Sequence, residues 1–127
     1  MIGIYLTMKE RQVYIYRETI RELGNPAFFR FLLNPEKRKF AIEVCALGDP
    51  GYYTTPVLED DRYRVNSIKL LRLIWNLCEW DEDRTYRVPG VVYYKENIAE
   101  FLLDEAELLF RGVQGGNRTI SDISGLK

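Results

Sequence analysis

The sequence predicts an α+β fold built from two β-α-β-β units in tandem. An apolar strand, a short helix and a hairpin follow one another between residues 11 and 46, and the same order recurs after residue 62. The stretch between them is rich in Pro, Gly and acids, which favours turns. We therefore expect one compact domain over residues 1–111, with halves at about 9–46 and 62–104, a turn-rich linker at 47–61 and a flexible tail at 112–127.

The first unit has the clearest pattern. Gln12–Tyr16 is β-branched and aromatic, as strands are, and residues 2–8 form a further β-prone run. In the helix predicted at 17–23, Ile20 and Leu23 share one face, and Gly24 supplies a stop. Two extended runs, 28–33 and 39–46, form a predicted hairpin around an Asn-Pro turn.

The second unit repeats this order. A strand at 62–65 is followed by Asn66 or Ser67, either of which could cap a buried central helix at 68–80. A bent strand is expected at 85–94, around Pro89-Gly90. Residues 98–110 fit either a helix or a strand, and the parallel with the first unit favours a strand to about residue 103.

Composition limits the function. The chain has 127 residues, is 46% hydrophobic and has no uninterrupted apolar run of membrane length or signal-peptide pattern, so we expect a cytoplasmic protein without a membrane partner. It contains no histidine, which removes the usual near-neutral base and the commonest metal ligand. We therefore expect no enzyme activity, no catalytic residues, no metal and no cofactor. The acidic clusters at 59–61 and 81–83 match no calcium loop, and the two cysteines lack metal or redox spacing.

Residues 13–24, VYIYRETIRELG, resemble the strand and helix of the AbrB-like swapped-hairpin family of bacterial regulators, whose pattern is roughly V-x-I-P-K-E-I-R-x-x-L-G. Tyr16 stands where the family has Pro, and residues 25–27 replace its acidic turn. The residues in step with the pattern are Val13, Ile15, Glu18, Leu23 and Gly24, with the basic Arg21 in the helix.

The resemblance implies a swapped-hairpin-like domain in which interleaved hairpins present arginines to DNA, with both halves of the pseudo-dimer in one chain. Residues 9–39 contain eight basic and four acidic groups, although the whole chain has a net charge of −1. We therefore predict a DNA-binding transcriptional regulator or antitoxin-like protein. The candidate DNA-binding residues are Arg11, Arg17, Arg21 and Arg30.

An alternative stays open, in which the chain is a protein-interaction or assembly module that binds no nucleic acid. Its exposed tyrosines and acidic second half would then contact another protein, and a homo-oligomer is compatible with either function. Arg17 and Arg21 lie four residues apart, so they could clamp adjacent phosphates or simply pair with neighbouring acids.

Overall fold

The computed structural model describes residues 1–109 as a mostly-β domain with two short α-helices. The tail predicted at 112–127 lies outside these residues. In chain order the elements are β1 (Gly3–Thr7), β2 (Gln12–Tyr16), α1 (Arg17–Glu22), β3 (Phe28–Asn34), β4 (Lys39–Val44), β5 (Tyr52–Thr54), β6 (Leu58–Glu59), β7 (Arg62–Asn66), α2 (Ile68–Cys78), β8 (Thr85–Tyr93), β9 (Ile98–Leu102), a 3-10 helix (Leu103–Glu105) and β10 (Glu107–Leu109).

Nine of the strands form one curled antiparallel sheet, a half-barrel in the order β5-β3-β4-β9-β8-β1-β2-β7-β6. β8 joins its two parts, because its first residues pair with β1 and its last four with β9. β10 lies off this path and pairs with the start of β8. The halves of the chain therefore meet along two ladders, β2·β7 and β4·β9, and β1, which precedes the first half, pairs with β8 of the second.

The predicted order of elements is present in both halves, as β2-α1-β3-β4 and as β7-α2-β8-β9. The hairpin β3-β4 turns where Asn34 Oδ1 accepts the Lys37 N–H at 3.2 Å. α1 ends before Gly24, whose φ of 85° is favourable for glycine alone. The ambiguous residues after Asn97 begin with a strand, as the parallel between the halves predicts.

Two parts of the predicted fold class are wrong. Strands predominate, so the domain is mostly β with two short helices, where the sequence predicted the α+β class. The sheet is a half-barrel along one path, not the swapped-hairpin unit implied by the family resemblance. The physical reason lies at the sheet's ends: β5 has three residues and β6 has two, and Pro56 between them has no N–H to donate. Neither strand can close the barrel with a continuous ladder.

Residues 47–61, whose composition predicts turns and no regular element, contain two short strands. β5 pairs with β3, and β6 pairs with β7. Strands this short are stabilised by the ladders of their neighbours, which their own composition does not reveal.

The helix caps differ in detail from the prediction. Ser67 occupies the N-cap position of α2, but its side chain makes no capping hydrogen bond, because its hydroxyl lies 3.2 Å from the Tyr53 hydroxyl. The helix ends at Cys78, two residues before the predicted end, because Glu79 adopts a left-handed conformation with φ 55°.

The core fills the concave face of the half-barrel. Side chains from every long strand point into it, and α1 and α2 cover it with Ile20, Leu71 and Ile74, each fully buried. Alternation along the strands leaves a second, convex face outside, which we call the outer face. Fully buried strand residues of the core are Ile4, Leu6, Val13, Ile15, Phe29, Phe40, Ile42, Val88, Ala99 and Phe101.

Candidate nucleic-acid interface

The structure does not bring the four predicted arginines together. Arg11 and Arg17 flank the two ends of β2, so about 20 Å separates their Cα atoms. Arg30 lies on β3, in the other part of the sheet. A single basic face made of all four is therefore absent from residues 1–109.

Arg17 and Arg21 do lie on the same side of α1, as their spacing predicts, and both border a shallow cavity of about 200 Å³. The same cavity is lined by Asp61, whose Oδ1 lies 3.1 Å from Arg17 Nη1. The Arg17 N–H also donates to the Asp61 carbonyl oxygen at 3.2 Å. A phosphate entering here would have to displace the Asp61 carboxylate from Arg17.

Arg30 forms a shorter and less exposed ion pair than Arg17 does. Its Nε donates to Glu43 Oε1 at 2.7 Å across the β3·β4 ladder, where the two residues are directly opposite. The same hydrogen bond raises the pKa of Arg30 above its ordinary value. Both side chains are half-buried, so the pair is a fixed feature of the outer face.

Arg11 lies in a different setting, on a groove of about 480 Å³ between the β1-β2 turn and the exposed side of α2. Lys9 comes from the same turn, and Arg72 comes from the helix. We call this the turn–helix groove. Its lining residues are Met8, Lys9, Arg11, Ile68, Arg72, Trp75, Asn76, Glu82 and Asp83.

The three cations of this groove are exposed, and none of them forms an ion pair with any residue between 1 and 109. Arginines elsewhere are typically paired, as Arg87 is with Glu107 at 2.6 Å. Glu82 and Asp83, from the loop after α2, line the same groove, which therefore contains three cations and two acids.

Local backbone geometry holds two of these cations in place. The Arg11 N–H donates to the Met8 carbonyl at 3.1 Å, and Arg11 adopts φ 58°, which closes the β1-β2 turn. The Glu10 N–H donates to Thr7 Oγ1 at 3.3 Å, which fixes the other side of the turn. Lys9 and Arg11 therefore project from a turn of defined shape.

Trp75, which is almost fully buried, links α2 to the loop that carries the two acids of the groove. Its Nε1–H donates to the Asp81 carbonyl at 3.1 Å, and its ring meets Trp80 edge to face. Trp80 in turn stacks on Tyr86 with centroids 4.2 Å apart. This contact chain fixes the loop bearing Glu82 and Asp83 to the end of α2.

A second cluster of arginine and tyrosine lies on the outer face of β7, β2 and β1. The rings of Tyr5 and Tyr14 stack at 4.5 Å, and Arg62 covers both. Tyr14 is only 6% exposed, so its ring faces are occupied within the protein and cannot stack on a nucleic-acid base. This cluster is structural.

Sequence reasoning found Arg11 but missed Lys9 and Arg72. One pattern was available: Lys69 and Arg72 lie three apart on the polar side of α2, where basic side chains share a face. The sequence does not show which cations lack acidic partners, because those partners come from distant strands.

Comparison of the chain with protein-family models, with curated proteins and with solved structures gave no match. Residues 1–109 include no group of three or more His, Cys, Asp or Glu side chains that could hold a metal ion. None of the helices in that range is long and apolar enough to span a membrane. Cys45 and Cys78 are free thiols, and burial raises the pKa of both.

Proposed function

We propose that the chain is a non-enzymatic DNA-binding protein, of the transcriptional regulator or antitoxin-like kind, whose turn–helix groove contacts the phosphate backbone. One observation supports this above all: Lys9, Arg11 and Arg72 converge on one groove without ion pairs to residues 1–109. The resemblance of residues 13–24 to AbrB-like regulators favours the same class of function.

Counterion release explains why unpaired cations matter most. A cation that already contacts a carboxylate gains little from a phosphate, because one ion pair replaces another. Arg17 and Arg30 are in that position, with Asp61 and Glu43 as partners. The groove cations form no ion pair within residues 1–109, so a phosphate that contacts them displaces no carboxylate. Each such contact releases counterions bound to the DNA.

The two acids of the groove restrict where a DNA backbone can lie. Glu82 and Asp83 line the same groove and repel phosphate, so a bound DNA backbone has to contact the three cations while avoiding these two acids. Three cations are few for DNA recognition. We therefore expect weak binding with little sequence preference.

Two triple variants of equal charge test this function. The groove variant combines Lys9→Gln, Arg11→Gln and Arg72→Gln, and the control combines Arg17→Gln, Arg30→Gln and Arg64→Gln, three arginines that already pair with acids. Each lowers the net charge by three. Fluorescence anisotropy with a labelled mixed-sequence DNA duplex at low salt should show strong loss of binding for the groove variant and retained binding for the control, with circular dichroism to establish that both are folded.

An equal loss in both variants would contradict the groove and indicate a dependence on net charge alone. A larger loss in the control would instead assign binding to arginines that pair with acids in the free protein.

The assembly module remains the second candidate, favoured by tyrosines at one end of the outer face. Tyr52 and Tyr93 are exposed there, in register with one another across the intervening strands. Failure of the wild-type protein to bind DNA even at low salt would favour this function.

A further inference from the structure

The turn–helix groove contains groups of both signs that do not pair with one another. Glu82 and Asp83 line it together with Lys9, Arg11 and Arg72, and all five are exposed. None of the five forms an ion pair with any residue between 1 and 109. The two acids are therefore as accessible to a ligand as the three cations are.

Binding of a DNA backbone alone does not account for these acids. Phosphate is attracted by the three cations and repelled by Glu82 and Asp83, so a groove that bound only phosphate would bind it better without them. A carboxylate instead accepts hydrogen bonds from N–H groups. Among the groups of a nucleotide, the exocyclic amino group of the base is such a donor, and Asp and Glu accept hydrogen bonds from the N4 amino group of cytosine.

The size and lining of the groove fit one unpaired nucleotide. Its volume of about 480 Å³ lies within the range of roughly 300–1,000 Å³ that is typical of pockets for small ligands. Met8 and Ile68, both half-buried, add apolar surface, and Asn76 adds an amide. A duplex keeps its bases stacked inside the helix, whereas an unpaired nucleotide can bring its phosphate and the pairing edge of its base into one groove.

We propose that the turn–helix groove binds a nucleotide of single-stranded DNA whose base carries an exocyclic amino group. Lys9, Arg11 and Arg72 contact the phosphates, and Glu82 and Asp83 accept hydrogen bonds from the amino group. Thymine and uracil have a carbonyl oxygen where cytosine has this group, and the acids repel that oxygen. The inference rests on the DNA-binding function proposed above and adds a base contact to the backbone contacts.

Fluorescence anisotropy at low salt and near-neutral pH tests this preference with labelled oligomers of deoxycytidine and of deoxyuridine. The two oligomers have equal length and charge, and their bases differ in the amino group. Wild type should bind the deoxycytidine oligomer about three- to tenfold more tightly, the effect of one additional hydrogen bond. Glu82→Ala combined with Asp83→Ala should tighten the binding of both oligomers, because repulsion is lost, and should bind the two equally.

The matched control combines Glu36→Ala with Glu96→Ala. Both acids are exposed, form no ion pair with any residue between 1 and 109, and do not line the groove. The control raises the net charge by the same amount, so it should keep the preference for deoxycytidine. Circular dichroism establishes that both variants are folded.

The base contact is overturned if wild type binds the two oligomers equally, or if the preference survives the loss of Glu82 and Asp83. It is also overturned if the control loses the preference as well. In each of these cases DNA is still bound, so the backbone contacts of the proposed function stand. Failure of wild type to bind either oligomer or a duplex would instead contradict the proposed function, and this inference with it.

Discussion

The guanidinium carbon of Arg62 lies 4.6 Å from the centroid of the Tyr14 ring and 5.3 Å from that of Tyr5. Arg62 lies on β7 and Tyr14 lies on β2, in opposite halves of the chain. Their contact therefore joins the halves on the outer face of the sheet. The stacked rings bury each other, and the arginine covers them from above.

Arg62→Ala should therefore lower the free energy of unfolding by about 1 kcal/mol, through lost cation–π attraction and exposure of the rings. Arg64→Ala is the control on the same strand, because its exposed ion pair with Glu59 contributes about 0.5 kcal/mol or less. Urea denaturation measures both variants. Equal losses in the two would contradict a special role for Arg62.

Tyr5 makes stability sensitive to alkaline pH. Burial raises its pKa from 10.0 to about 12, partly opposed by Arg62. Between these values the unfolded chain releases the Tyr5 proton while the folded protein retains it, so the free energy of unfolding falls as pH rises from about 10 to 12. Below pH 10 the contribution is fully present.

Comparison of wild type with Tyr5→Phe at about pH 9 and about pH 11 checks this dependence by denaturant unfolding. The variant should lose less stability over that interval, although some loss remains because burial also raises the pKa of Tyr14. Parallel pH profiles for the two proteins would rule out Tyr5 as the titrating group.

Gly90, within β8, leaves room for the ring of Phe101. A Cβ atom at this position would lie 2.5 Å from Phe101 Cδ1 and 3.1 Å from the Glu100 carbonyl oxygen. Gly90→Ala should therefore cost about 1–3 kcal/mol of stability, because the fully buried ring has to shift. Adding Phe101→Leu should give a double variant less destabilised than the sum of the two singles. Strict additivity would mean that the clash is not with this ring.

Glu79 ends α2 in a left-handed conformation, with φ 55° and an exposed side chain. Glu79→Gly should raise the free energy of unfolding by about 0.5–1 kcal/mol, because glycine adopts this conformation without a steric cost. Glu79→Ala, which retains a Cβ atom, should give no such gain. Thermal unfolding of the three proteins distinguishes the effect of conformation from loss of the carboxylate.

Local patterns predicted most of the elements because their cause is local. Gln12–Tyr16 forms the predicted strand, and α2 begins at the predicted Ile68, since alternation and helical spacing are visible in a short window. The path of the sheet was not predictable in this way. β5 and β6 depend on pairing with β3 and β7, and the half-barrel follows from those long-range ladders.

The candidate site was predictable only in part for the same reason. Arg11 was identified by its place in a basic stretch, but Arg17 and Arg30 were identified on equal grounds and are paired with acids. Arg72 joins Arg11 only because α2 lies across β2 and reaches the β1-β2 turn. Whether a cation is available to a phosphate is decided by tertiary contacts.

The salt dependence of DNA binding tests the turn–helix groove most directly. With three phosphate contacts, the logarithm of the binding constant should fall with the logarithm of salt concentration at a slope of about −2.7, and Arg72→Gln should make that slope shallower by about 0.9. Arg17→Gln should leave the slope unchanged, since Asp61 already neutralises that arginine. A slope that responds to Arg17→Gln and not to Arg72→Gln would contradict the proposed interface.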